Sequence, residues 1–109
     1  MRATLGEFEH LILLSILHLG DDAYGAAVIE HLEARTGRDV SQAAAYIALK
    51  RLDEKGLVTS SLGIGTPERG GRPRRYFTVS NEGLDKLRSS GSAIMQMWSG
   101  LEALLEERS

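Results

Sequence analysis

A mostly α-helical fold with one small β-hairpin and a long C-terminal helix follows from three features of the sequence. Apolar residues recur at helical spacing through 8–19, 24–36 and 42–55, and each stretch is stopped by a glycine, Gly20, Gly37 or Gly56. Two short strand-like stretches, 57–62 and 74–79, flank the densest run of breakers in the chain, Gly63, Gly65, Pro67, Gly70, Gly71 and Pro73. A three-four repeat of apolar or small residues then runs from Leu84 to Leu105. Three helices followed by a hairpin with a polar, basic loop form a winged helix-turn-helix, here with a long helix suited to dimerisation behind it. The expected division is residues 1–80 for the winged unit and 81–109 for the dimerisation helix.

At 109 residues the chain is one domain's worth, and its 42% hydrophobic and 26% charged residues exclude a wholly disordered chain. With no cysteine there are no disulfides, zinc fingers or thiol nucleophiles, which suits a reducing cytoplasm. No apolar run, Leu11–Leu14 included, approaches the ~20 residues that span a bilayer, so no membrane partner is expected. Glu7, Glu9 and His10 interrupt any secretory apolar core at the start.

The first helix is expected to open on a capping box, Thr4-Leu5-Gly6-Glu7, and to run to about Leu19. It is apolar almost all round after His10, so it needs cover on more than one side: the domain's own core, and a second subunit over Leu11 and Leu14. Asp21-Asp22 is expected to cap the second helix, about Tyr24–Thr36, with Val28, Ile29 and Leu32 inward. Ser41 caps the third, about Gln42–Lys55, with Ala45, Leu49 and Leu52 inward. In the second strand Arg75, Phe77 and Val79 share one face, and Arg74, Tyr76 and Thr78 the other. Ser80 caps the last helix, about Asn81–Glu107, which at 1.5 Å per residue is roughly 40 Å long. Its seam of Leu84, Leu87, Gly91, Ile94, Trp98, Leu101 and Leu105 exceeds what an 80-residue domain covers, so a homodimer is expected through Ile94, Trp98, Leu101 and Leu105.

The net charge of −2 hides a strong asymmetry: −4 over residues 1–49, +4 over 50–80 and −2 over 81–109. Recognition answers to the local field, screened beyond about 8–10 Å, so the basic middle matters more than the total. The second helix of a helix-turn-helix lies in the major groove of double-stranded DNA. Its exposed early residues here are Ser41, Gln42, Ala43, Tyr46 and Ile47, followed by Lys50 and Arg51. Gln42 suits an adenine edge, and Ala43 or Ile47 a thymine methyl; Tyr46 and Lys50 suit phosphates. The wing adds Arg69, Arg72, Arg74 and Arg75, whose guanidinium forks suit phosphate oxygens or a narrow minor groove. The plain alternatives are an ordinary solvated helix face and a soluble hairpin tip.

Other chemistry is poorly supplied. Gly65-x-x-x-x-Gly70-Gly71-Arg72 lacks the lysine and hydroxyl of a phosphate-binding loop and opens a strand. His10, His18 and His31 form no metal-ligand spacing, and no nucleophile elbow is present, so neither a metal, another cofactor nor an enzyme is expected. Trp98, flanked by Met95 and Met97, reads first as an interface anchor and second as a flat wall for a small aromatic ligand between subunits.

Several segments together resemble the PadR family of transcriptional regulators: Thr4-Leu5-Gly6-Glu7-Phe8-Glu9, the pair Tyr24-Gly25, and Val40-Ser41 leading to Tyr46-x-x-Leu49-x-Arg51-Leu52-x-x-Lys55-Gly56-Leu57-Val58. The wing Gly70-Gly71-Arg72-x-Arg74-x-Tyr76, followed by Gly83, completes the resemblance, which spans about Thr4 to Leu87. It implies a homodimeric winged-helix DNA binder, commonly a repressor released by small molecules. In short members a single C-terminal helix dimerises, and some take flat aromatic drugs beside a tryptophan placed like Trp98. One departure is Ala43-Ala44-Ala45-Tyr46-Ile47-Ala48, where family members often carry a glycine and hydroxyl residues around the tyrosine. The expectation is a cytoplasmic repressor on a near-palindromic operator; the alternative is a dimeric winged-helix protein-interaction module that binds no DNA.

Overall fold

The computed structural model describes residues 5–63 and 73–106. In chain order these form α1 (Glu7–Leu19), a 3-10 turn (Gly20–Asp22), α2 (Gly25–Thr36), α3 (Gln42–Glu54), β1 (Val58–Leu62), β2 (Arg75–Val79), α4 (Asn81–Trp98) and α5 (Ala103–Glu106).

α1 is the central element and touches α2, α3, β2 and α4. Ile12, Leu13 and Ile16 face inward and meet Val28 and Leu32 of α2, Ala48, Leu49 and Leu52 of α3, Val58 of β1, and Phe77 and Val79 of β2 in one core. Leu11 packs partly against that core, whereas Leu14 and Leu17 remain exposed on the outer side of α1. The start of α1 corrects the expected capping box. Gly6 is the cap and offers no side chain, so Glu7 is the first helical residue, too early to reach back over the cap. Its carboxylate instead accepts from both terminal nitrogens of Arg38, at 2.9 and 3.0 Å. Thr4 lies outside the described residues.

Asp21 and Asp22 do not cap α2 either. They close the 3-10 turn, and Tyr24 is the cap residue, with no side-chain bond to the helix. The reason lies in the sheet: the Phe77 amide donates to Ala23 O at 2.8 Å, and Tyr24 bridges Tyr76, so 23–24 is extended chain paired to β2. The expected stops at Gly37 and Gly56 are present, both in the left-handed region that glycine adopts without strain. Ser41 caps α3, its Oγ accepting from the Ala44 amide at 3.2 Å. Ala48 joins Ala45, Leu49 and Leu52 on the buried face.

β1 and β2 pair antiparallel from Val58–Val79 to Leu62–Arg75. Phe77 and Val79 are buried, as the alternation requires. Ser80 then does two jobs: its hydroxyl donates to Gly56 O at 2.7 Å and accepts from the Gly83 amide at 3.0 Å, which ties the start of α4 to the end of α3. Gly83 sits directly on the Leu57 carbonyl and the Val79 side chain, where a Cβ has no room. Leu87 is buried one turn later.

The single helix expected over 81–107 is broken. α4 ends at Trp98 after 18 residues, about 27 Å. Ser99 leaves the helix and Gly100 takes φ 90°, after which α5 begins a separate turn. The periodic seam runs straight through this break, so period alone could not reveal it; the Ser99-Gly100 pair could. Glu107 lies outside the described residues.

Candidate nucleic-acid interface

The exposed face of α3 is set by its buried face. With Ala45, Ala48, Leu49 and Leu52 turned inward, Gln42, Ala43, Tyr46, Ile47, Lys50 and Arg51 are left on the surface. Ala43, Ile47 and Lys50 follow one another at the spacing of a single helix stripe. Tyr46 is 44% and Ile47 53% exposed, an unusual outlay of apolar surface for the first two turns of a small domain's helix. Ser41 lies at the same end, its hydroxyl engaged as the cap.

Two contacts bring the hairpin to this face. On one side Arg75 donates from Nη1 to Ser60 Oγ at 3.0 Å, and Ser60 Oγ donates to Asp53 Oδ2 at 3.3 Å. Arg75 and Phe77 of β2 thus line a groove of about 240 Å³ with Tyr46, Leu49, Lys50 and Asp53 of α3. On the other side the Tyr46 ring lies over the first turn of α2, so close that a Cβ on Gly25 would stand 2.5 Å from Cε1 and 2.7 Å from the hydroxyl. Next to Gly25, Tyr24 carries the Arg74 guanidinium 3.9 Å above its ring centroid and meets Tyr76 edge-on at 5.7 Å. Arg74, just before β2, and Arg75, its first residue, therefore point to opposite sides of the hairpin. Arg75 lines the α3 groove, whereas the Arg74 guanidinium reaches Tyr46 through Tyr24 and Gly25. Arg69 and Arg72 lie outside the described residues.

Acid pairing trims the basic field. Glu9 holds Lys55 Nζ at 3.0 and 3.2 Å, and Glu7 holds Arg38. No partner of the Lys50 ammonium is found among the described residues. The ion pair with Arg38 keeps the Glu7 carboxyl below the usual carboxylate range.

Sequence reasoning missed Tyr24 and Tyr76 as members of this surface. Tyr24 was visible only as half of the Tyr24-Gly25 pair, because its partners, Arg74 and Tyr76, are some fifty residues away in the chain.

At the far end of the molecule Ile94, Met97, Trp98 and Leu101 are brought together in an apolar groove of about 410 Å³, with Ala93 and Leu104 completing it. Leu104 was not anticipated there, because α5 is turned by the break at Gly100. Met95 is not part of this groove: it lies on the opposite side of α4 with Gly91, Gln96 and Ser99. The two methionines are separated by about 200° around the helix, so within one subunit they line different grooves. Leu105 is exposed and is not among the residues lining the groove. The histidines serve packing: His10 Nδ1 meets Ser90 Oγ at 3.0 Å, and His18 and His31 lie with ring centroids 5.2 Å apart.

Three helices with the third exposed beside a two-stranded wing define a winged helix-turn-helix protein, built to present one helix and one hairpin on a common surface. The comparisons with known proteins agree. The model of the PadR-like family of transcriptional regulators matches residues 13–89, and the chain belongs to that family, whose members are regulators rather than enzymes. No curated protein matches the sequence. A PadR family transcriptional regulator from Eggerthella lenta is 28% identical, with a TM-score of 0.67 over 94% of this chain and 88% of that one. One from Clostridium difficile is 25% identical, with a TM-score of 0.64 over 92% and 96%. A PadR-like regulator from Bacillus cereus, 22% identical with a TM-score of 0.73 over 93% of each chain, shares the fold.

Proposed function

We propose that this regulator binds double-stranded DNA as a homodimer and represses transcription from a near-palindromic operator. The observation that carries the reading is the fixed geometry of the α3 face: Tyr46 seated on α2, and Arg75 tied through Ser60 to Asp53, leave Gln42, Ala43, Ile47 and Lys50 outward beside the wing. Ser41, Tyr46, Lys50, Arg51, Arg74 and Arg75, with Arg69 and Arg72, serve the phosphates; Gln42, Ala43 and Ile47 serve base edges.

Residues 81–109 act as the dimerisation unit and residues 1–80 as the DNA unit. Ile94, Leu101, Leu104 and Leu105 are each half exposed or more, a cluster that a lone subunit leaves in water. Fully burying such a side chain contributes about 1.5–3 kcal/mol, so two copies of the cluster can meet an association cost of about 4–15 kcal/mol. Leu11 and Leu14 of α1 extend the same interface. The two α3 helices then stand about 34–36 Å apart, one turn of the duplex. The groove at Met97 and Trp98 takes a small planar aromatic effector, which shifts the dimer only by binding its two forms with different affinity. Such a regulator works in the cytoplasm.

Footprinting on the DNA upstream of the protein's own gene tests the reading. Two protected half-sites one turn apart are expected, with Gln42→Ala and Ile47→Ala each relaxing base choice at one position per half-site. Uniform protection without half-sites, from a monomer, would overturn it.

A further inference from the structure

We propose that Tyr24 is a positioning residue for DNA contact: its ring holds the Arg74 guanidinium at the base of the wing and makes it a fixed phosphate contact. The proposal rests on the DNA-binding reading above.

Free arginine side chains lose rotamer freedom on meeting a phosphate, and that loss weakens each contact. Arg74 is relieved of much of it in advance. Its guanidinium lies 3.9 Å over the Tyr24 ring centroid, a stacked arrangement that occupies the flat face of the fork. The in-plane N–H groups remain available, because Arg74 makes no side-chain hydrogen bond among the described residues. Those N–H groups are the ones that meet phosphate oxygens in pairs.

Tyr24 is itself held from three directions. Its backbone bridges Tyr76, its ring meets the Tyr76 ring edge-on, and Ala23 O accepts from the Phe77 amide. The adjoining Gly25 lies under Tyr46 of the exposed α3 face. The strip Tyr46–Gly25–Tyr24–Arg74 thus fixes one wing arginine relative to the recognition helix from the outer face of β2. Arg75 is fixed from the inner face by Ser60 and Asp53. Among the described residues of the wing, Tyr24 thus adds a second fixed cation to Arg75.

The test is the salt dependence of binding to a duplex of about 30 base pairs, followed by fluorescence anisotropy with the full chain. Arg74→Ala should weaken binding about five- to tenfold and reduce the log–log salt slope by about two per dimer, one phosphate for each protomer. Tyr24→Leu keeps apolar bulk against Tyr76 but offers no π face; it should reproduce the Arg74→Ala slope, and the double variant should be no worse. Tyr24→Phe retains the ring and should keep the wild-type slope. Circular dichroism of each variant establishes that it is folded. A folded Tyr24→Leu with the wild-type slope, or a Tyr24→Phe as impaired as Tyr24→Leu, would overturn the proposal while leaving DNA binding intact. A wild-type protein that ignores the duplex at low salt would overturn both.

Discussion

His10 in the first turn of α1 and Ser90 in the middle of α4 share a hydrogen bond of 3.0 Å between Nδ1 and Oγ, across 80 positions of sequence. A Cβ on Gly91, beside it, would stand 3.8 Å from His10 Cε1, so the imidazole lies over this part of α4. Before this contact α4 belongs to the core through Gly83 and Leu87; beyond it the helix runs on with Ile94, Met95 and Met97 exposed. The bond therefore helps set the angle at which the C-terminal helix leaves the winged unit. Ser90→Ala should lower stability by about 0.5–1.5 kcal/mol in urea unfolding, and His10→Ala added to it should cost little more through this bond. Strict additivity of the two would contradict the contact.

Acid should weaken the fold in two steps. Burial, helped by His18 and Arg35, holds His31 below its ordinary value of 6.5, so folding favours its neutral form. That stability is complete above about pH 6.5 and is lost as pH falls through the folded value. Glu7 is held below 4.5 by the hydrogen bonds and charge of Arg38, so its contribution is complete above about pH 4.5 and is lost at still lower pH. His31→Gln should remove the upper step from a plot of urea midpoint against pH, and Arg38→Ala the lower. An NMR titration that finds His31 above 6.5 would contradict the first.

Gly83→Ala should be among the most damaging small substitutions. The added Cβ meets the Leu57 carbonyl and the Val79 Cγ1, neither of which is the loose end of a flexible chain. Such overpacking costs about 1–3 kcal/mol, read as a fall in melting temperature. Gly25→Ala has a different signature: its Cβ meets the Tyr46 ring, which can swing away. It should impair DNA binding more than it impairs stability.

The apolar groove at the end of α4 gives a prediction about assembly. Ile94→Ser with Leu101→Ser should turn a dimer into a monomer in sedimentation and shift Trp98 emission to the red, since both residues line the groove with Trp98. A planar aromatic dye should quench Trp98 in the wild-type dimer. Met97→Ala should weaken that quenching and Met95→Ala should not, because Met95 is on the opposite side of the helix.

Local signals carried the sequence reading where one residue's conformation decides the matter. Gly20, Gly37 and Gly56 stop three helices, Ser41 and Ser80 cap two, and the alternation of Phe77 and Val79 sets the buried face of the hairpin. The reading failed where a distant partner outbid a local one. Glu7 leaves the expected capping box for Arg38, thirty-one positions away. Asp22 gives up the cap of α2 because Ala23 and Tyr24 pair with β2. At the C-terminus the seam was legible but its continuity was not, since a three-four repeat is blind to the glycine that bends the chain between Trp98 and Leu101. For the candidate interface, the stripe on α3 could be read from period alone. The separation of Arg74 from Arg75 onto two anchors required the fold.

The most direct measurement of the central claim is the equilibrium binding of the full chain to its own upstream DNA as salt is raised. If each protomer of a dimer neutralises about four phosphates, log K should fall against log salt with a slope of about −7. A slope near zero, with no preference for upstream DNA over random duplex, would contradict the account.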